Sequence, residues 1–279
     1  MPELPEVEVI CQGIAPHLIG RKLLKASFSR KKLRLPFPRA KIEKWVSNHQ
    51  VATVERRAKY LVISLKNQAR LIIHLGMTGR LGIFPCHTPV AKHDHVRLLM
   101  DNQLELRFND TRRFGSLQVL TPNENIESLF EHFGPDPFWD SFSAEYLEKK
   151  ARVRTIPAKN FLMDNRVVTG IGNIYASEIL FATGINPGTS CHLIEYSKWQ
   201  EIVVASRKIL EEAILCGGTT ISDYVNISGE RGYFQVRLKM YGRESQPCTV
   251  CGTPITKIVL GGRASFFCAQ CQPIQKESH

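Results

Sequence analysis

The chain has 279 residues, of which 37 are Lys or Arg and 26 are Asp or Glu, for a formal net charge of +11 and a pI near 9.4. That length suits two or more domains with their own cores, and the cationic surplus favours a polyanionic partner. No apolar run is long enough to cross a bilayer and no charged-then-apolar leader opens the chain, so the expectation is a cytoplasmic protein with no membrane partner.

The first element follows directly. Val7, Ile10, Ile14 and Leu18 recur every three or four positions and Gly20 follows them, which predicts an amphipathic helix over Pro5–Leu18. Strand-like runs come next, at Lys22–Phe28, Val51–Leu65, Arg70–Phe84, His95–Met100, Leu104–Phe108 and Ser116–Leu120, with a hairpin turn at Asp101-Asn102 and a short helix at Ala40–Val46. This half reads as a β-sandwich with flanking helices that ends near Phe133. Gly134-Pro135-Asp136-Pro137 carries turn chemistry and opens a linker. Beyond it helices take over, at Ala144–Lys150, Asn160–Asn165, Ile174–Thr183 and Ser197–Leu215. The expected fold is α+β with two main domains. The parts run 1–133 (β-sandwich), 134–236 (linker and helical domain) and 237–279 (a metal ribbon), and a cleft between domains is a natural ligand site.

The ribbon rests on cysteine spacing. Cys248 and Cys251 form one C-x2-C pair, Cys268 and Cys271 another, and sixteen residues separate them. Two such pairs make a tetrahedral four-thiolate zinc site. A closed site of that kind leaves no position for substrate, so the zinc is expected to be structural. The other four cysteines, at 11, 86, 191 and 216, are scattered singly.

The N-terminus, Met1-Pro2-Glu3-Leu4-Pro5-Glu6-Val7-Glu8, has two readings. Removal of Met1 would leave Pro2 with a free secondary amine, which attacks an aldehyde-like carbon to give an iminium. A terminal amine has a reference pKa of about 7.7–8.0, well under the lysine value of about 10.4, so part of it is neutral near pH 7. Glu3 beside it could then shuttle protons. The plainer reading is a proline ahead of a helix, with Glu3 and Glu6 complementing its dipole.

The octet resembles the start of the bacterial formamidopyrimidine-DNA glycosylases, and later segments resemble the same family in the same order over nearly the whole chain. The phrases are Arg56-Arg57-Ala58-Lys59-Tyr60-Leu61, His74-Leu75-Gly76-Met77-Thr78-Gly79, Asn109-Asp110-Thr111-Arg112-Arg113-Phe114-Gly115, Gly170-Ile171-Gly172-Asn173-Ile174-Tyr175 and Gly261-Gly262-Arg263-Ala264-Ser265. The resemblance implies a helix–two-turns–helix domain ahead of the ribbon and excision of oxidised purines from duplex DNA, followed by strand cleavage at the abasic site. It implies Pro2 as nucleophile, Glu3 as proton relay, and Lys59 and Arg263 as helpers of β- and δ-elimination. Met77, Arg112 and Phe114 would fill the gap left by a flipped nucleotide. Asn173 would seat a phosphate at a helix start, and His74, His93, Arg154 and Lys159 would contact DNA. Ser228–Gln235 resembles the family's lid loop, whose glycines suit motion. No redox cofactor and no catalytic metal are expected, and a monomer is the default. The rivals are the sister endonuclease VIII group, which prefers oxidised pyrimidines, and a lesion-binding protein without cleavage.

Overall fold

The computed structural model describes residues 2–219 and 237–274. The described residues form two compact units: one takes in 2–131 and 216–219, the other 132–215 and 237–274. No helix among them is long and apolar enough to cross a membrane.

In the first unit, helix α1 (Leu4–Leu18) precedes eight strands: β1 (Lys22–Phe28), β2 (His49–Arg57), β3 (Tyr60–Leu65), β4 (Arg70–His74), β5 (Gly79–Pro85), β6 (Asp94–Met100), β7 (Leu104–Asp110) and β8 (Ser116–Leu120). Short helices α2 (Arg39–Trp45) and α3 (Glu127–Phe130) complete the unit. The strands hydrogen-bond in the order β5-β7-β6-β1-β2-β3-β4-β8. Every pairing is antiparallel. The joint between β1 and β2 is slight, since only Lys22 with Gln50 and Leu23 with His49 are paired there. The sheet therefore divides into two halves whose inward side chains share one core. Val54, Ile63 and Ile73 come from one half, Leu81, Leu98 and Phe108 from the other, and Val7, Ile10 and Ile14 of α1 join them. Alternation is plain in β6, where Val96, Leu98 and Met100 are buried between half-buried Arg97 and Leu99, whereas β3, β4 and β8 are covered on both faces, with Val62, Ile72 and Leu120 buried against Ile126 and Leu129.

Two of the expected strands are interrupted. The run Val51–Leu65 turns at Ala58, which takes φ 54°, and the run Arg70–Phe84 breaks between His74 and Gly79, where Gly76 takes φ 67°. Both breaks carry residues singled out above, Lys59 and Met77. At the hairpin between β6 and β7 the left-handed residue is Gln103, φ 61°, one place beyond the expected turn pair.

The second unit holds α4 (Ala144–Ala151), α5 (Ala158–Met163), α6 (Asn173–Ala182), a 3-10 turn at Cys191–Leu193 and the long α7 (Tyr196–Leu215), then the hairpin β9 (Thr256–Leu260) and β10 (Arg263–Phe267). Ser143 caps α4 by accepting from the Tyr146 N–H at 3.2 Å. The ribbon is bound to the helices through buried polar groups. Glu178 of α6 accepts the backbone N–H groups of Lys239, Met240 and Tyr241, each at 2.9 Å. Gln272 donates to the Ile185 carbonyl at 2.7 Å, and its own carbonyl accepts from Asn186 at 2.8 Å. Phe181, Met240, Ile255 and Phe266 close a small core around this junction. The Ser228–Gln235 segment lies outside the described residues.

Candidate active site and nucleic-acid interface

Two glutamates organise the head of α1. Glu3 is its N-cap, in extended conformation, and is buried. Glu6, one turn on, is 0% exposed. Its Oε2 accepts the Glu3 N–H at 2.8 Å. Its Oε1 accepts both the N–H and the hydroxyl of Thr219, each at 2.9 Å. One buried carboxylate thus ties the backbone beside Pro2 to a segment more than two hundred residues away in sequence. Gly218 makes this approach possible: it sits at φ +80°, and an added Cβ would stand 3.3 Å from the Glu6 side chain. Glu6 therefore fixes the backbone of Glu3, next to Pro2, to Thr219.

Lys59 lies in the turn between β2 and β3 and is buried. Arg56 fixes this turn to α1: its Nε donates to Glu8 Oε2 at 2.7 Å and its guanidinium donates to the Ala58 carbonyl at 3.1 Å. The Tyr60 and His74 rings stand 4.7 Å apart. Burial pushes the His74 imidazole down to about 4, and the positive charges of Lys59 and Arg34 push the same way. His74 is therefore neutral near pH 7. Its Nδ1 accepts the Gly76 N–H at 3.1 Å, so the ring proton is on Nε2, which makes that atom a donor.

The residues expected to fill a vacated base position come together on two adjoining loops. Met77 is 40% exposed and Phe114 44%, and the Arg112 guanidinium lies over the Phe114 ring, 4.7 Å from its centroid. The loops meet backbone to backbone. A Cβ on Gly76 would stand 2.5 Å from Gly115 N and from the Phe114 carbonyl carbon. His93 sits nearby in sequence and structure: its carbonyl accepts the Asp110 N–H at 3.0 Å, and its ring is 6.2 Å from that of buried His95.

In the second unit, Asn173 is the first residue of α6 with Gly172 as N-cap, and its buried Oδ1 has no hydrogen-bond partner among the described residues. Arg154 pairs with Asp164 at 3.4 Å. Lys159 departs from expectation. It is 1% exposed, and its ammonium donates to the Ala264 carbonyl and to Ser265 Oγ, both at 2.9 Å. A buried cation must be hydrogen-bonded, and this one ties α5 to the ribbon hairpin. The hairpin tip beside exposed Arg263 rests on the same helix, with Gly261 packed against the Asn160 amide.

The four ribbon cysteines converge. Their sulfurs lie within 4.8 Å of one another, with Sγ–Sγ separations of 3.4 Å (Cys251–Cys268), 3.5 Å (Cys251–Cys271) and 3.9 Å (Cys248–Cys271). A tetrahedral zinc with Zn–S of about 2.3 Å requires sulfurs roughly 3.8 Å apart, so the set fits the ion. Cys248, Cys251, Cys268 and Cys271 hold one structural zinc, and the metal's part is to hold the ribbon together. Of the remaining thiols, Cys11 is buried, and burial pushes it up to about 12, aided by Glu8.

Missed in the sequence were the groups that position others: Thr219, Arg56, Asp110 and Thr78. The last three stood inside quoted phrases, but their hydrogen-bonding partners are set by the fold. Thr219 carried no signal, since its partner is remote in sequence.

A β-sheet unit headed by a helix, a helix–two-turns–helix element and a four-cysteine ribbon define a zinc-ribbon protein of the helix–two-turns–helix class. Sequence models agree part by part: the formamidopyrimidine-DNA glycosylase N-terminal domain matches residues 1–117, its H2TH domain 133–225, and the zinc finger found in FPG and IleRS 245–274. The chain is 46% identical over 272 residues to the formamidopyrimidine-DNA glycosylase of Hahella chejuensis, a match covering 98% of this chain and 100% of that one. It is 47% identical, with the same coverage, to that of Acidithiobacillus ferrooxidans. The fold matches a Lactococcus lactis FPG mutant complexed with a Fapy-dG-containing DNA, at TM-score 0.91 and 28% identity over 98% of this chain and 100% of that one. It also matches the Lactococcus lactis enzyme complexed with an abasic-site DNA, at TM-score 0.88 and 28% identity over 97% and 99%. The chain belongs to the formamidopyrimidine-DNA glycosylase family.

Proposed function

We propose that this protein is a DNA repair glycosylase with lyase activity that removes oxidised purines through a Schiff base on Pro2. The observation that carries the reading is the head of α1, where Glu6 holds Glu3 by its backbone beside Pro2, with the Glu3 side chain buried. A nucleophile and an acid held at one fixed point suit covalent catalysis, which divides one hard displacement into easier steps.

Damaged duplex DNA binds mainly through its phosphates, and the lesion is flipped out because C1′ cannot be reached in the stack. With Met1 removed, the Pro2 amine attacks C1′. The C1′–N bond breaks, the base leaves with a proton relayed by Glu3, and the sugar remains as a cationic iminium. That cation acidifies the C2′ proton, whose loss expels the 3′ phosphate; the 5′ phosphate follows by δ-elimination, and water frees Pro2. Lys59 and Arg263 assist the eliminations. Met77, Arg112 and Phe114 occupy the vacated space, as apolar wedges and arginines do in other bent or opened duplexes. His74, His93, Arg154 and Asn173 serve the backbone, with Asn173 at a helix start suited to a phosphate.

The working parts are 1–133 for chemistry, 134–236 for phosphate binding and the lid, and 237–279 for the zinc ribbon. The protein acts as a monomer in the cytoplasm, beside the nucleoid. A second reading extends the substrates to oxidised pyrimidines, because the Lactococcus lactis relative has been crystallised with an oxidized-pyrimidine DNA. Borohydride trapping on duplexes with a single 8-oxoguanine or a single oxidised pyrimidine separates these readings. An adduct on the 8-oxoguanine strand mapped to Pro2 is expected. An adduct on the pyrimidine alone moves the protein to the sister specificity, and none on either, with Pro2 free and zinc bound, overturns the enzyme reading.

A further inference from the structure

We propose that Asp110 and Thr78 are positioning residues that lock the Met77 loop to the Arg112–Phe114 loop, so that the three side chains meet the base stack as one rigid tool. The inference rests on the wedge reading above. Met77 and Phe114 are half-exposed, so packing alone does little to fix their direction. That direction is set by the two loop backbones, and these join at one buried carboxylate. Asp110 is 0% exposed. Its Oδ1 accepts from the Thr78 hydroxyl at 2.6 Å and its Oδ2 accepts the Gly115 N–H at 2.8 Å. The Thr78 hydroxyl, having given its one proton to Asp110, accepts the Arg112 N–H at 3.0 Å. A single chain of hydrogen bonds thus runs from Arg112 through Thr78 and Asp110 to Gly115, bracketing Phe114 from both sides and holding Thr78 next to Met77.

The clamp is itself braced. The buried His95 ring is hydrogen-bonded to the Asp110 carbonyl through Nε2 at 3.0 Å, and the Arg34 N–H donates to the Gly115 carbonyl at 3.0 Å. Neither Asp110 nor Thr78 need touch DNA to act. Their contribution is geometric, and a displacement of about 1 Å in such a tool can cost as much as a hundredfold in rate.

The test compares two substrates under single-turnover conditions: 8-oxoguanine paired in a duplex, and a preformed abasic site in a single strand, where no paired base has to be opened. Thr78→Val keeps the side-chain shape and loses the hydroxyl; Asp110→Asn sets an amide N–H2 against a donor. Both should slow duplex excision on the order of tenfold, the loss of one or two buried hydrogen bonds, and leave single-strand cleavage within about twofold. Thr78→Ser, which keeps the hydroxyl, should restore duplex excision. Unchanged duplex excision in Thr78→Val, or an equal fall on both substrates, would overturn the proposal. A Met77→Ala, Phe114→Ala double variant separates the layers. If it excises from duplex at the wild-type rate, the wedge reading itself fails; if it is slow while Thr78→Val is not, only the clamp fails.

Discussion

Replacing Glu6 with Gln tests whether the head of α1 is held for chemistry or merely for stability. The carboxylate accepts from the Glu3 N–H, the Thr219 N–H and the Thr219 hydroxyl. Glutamine offers one acceptor oxygen and an N–H2 group. With its oxygen toward Thr219, the N–H2 faces the Glu3 N–H, donor against donor, in a fully buried site. An unsatisfied buried donor costs about 1–3 kcal/mol, and weakening the two charge-assisted bonds to Thr219 adds about 1 kcal/mol. The sum, about 2–4 kcal/mol, should lower the Tm of the β-sheet unit by roughly 5–15 °C. The catalytic effect is larger than stability alone accounts for, because Glu3 and Pro2 lose their fixed geometry. Borohydride trapping on abasic DNA at 20 °C should slow by about 10- to 100-fold, with DNA affinity nearly unchanged. Trapping at the wild-type rate would refute the reasoning, even with a lowered Tm, by showing that Glu6 braces the fold without governing the nucleophile.

Acid sensitivity should be traceable to His74. Its pKa is depressed from 6.5 to about 4 in the folded state, so its contribution is present above pH 6.5 and is lost as pH falls toward 4, where the unfolded chain binds the proton first. Urea unfolding of wild type against His74→Gln between pH 4.5 and 7 should show a steeper wild-type slope, by at most about 1.4 kcal/mol per pH unit for one proton; parallel slopes would remove His74 from the account. Atomic absorption should find one zinc per chain, and Cys268→Ser or chelation should abolish duplex binding as the ribbon core around Met240, Ile255 and Phe266 opens. Undiminished binding would make the metal irrelevant to DNA. Gly76→Ala places a Cβ 2.5 Å from the Phe114–Gly115 backbone at φ +67° and should destabilise by about 2–4 kcal/mol in urea melts; a cost under about 0.5 kcal/mol would mean that the two loops are not in rigid contact.

Most elements were legible because their periods are clean. Helix α1 and strands β1 and β8 fall where the apolar spacing put them, and the zinc set is written in the cysteine gaps. The interrupted strands were not legible for a physical reason. No glycine, proline or asparagine marks the turn at Ala58, whose φ of 54° no local residue type announces, and apolar alternation continues across Gly76, where one glycine is also compatible with a strand. Glu127–Phe130 is too short to show a period, and its anchoring is tertiary: Arg57 pairs with Glu127 and lies over the Phe130 ring. The burial of Lys159 was not legible for a related reason, since a lysine's sequence context does not say whether its ammonium meets solvent or a carbonyl from a hairpin about a hundred residues away.

The same division runs through the site. The side chains proposed to meet DNA stand exposed, Met77, Arg112 and Phe114 on loops and Arg263 at the start of β10, whereas Glu6, Asp110 and Lys159, which tie down the head of α1, the Met77 and Phe114 loops and the ribbon hairpin, are buried and hydrogen-bonded. Burying a charge is costly unless it is fully partnered, so each of these three makes its loop geometry hard to relax. A mobile loop would lose its wedge to the helix it is meant to open, because unstacking a base step costs a few kcal/mol that only a stiff insert can deliver. Substitutions at these interior positions should change how far a duplex is opened before they change whether DNA is bound, a separation that salt-dependence measurements on the same variants would expose, since phosphate contacts alone set that slope.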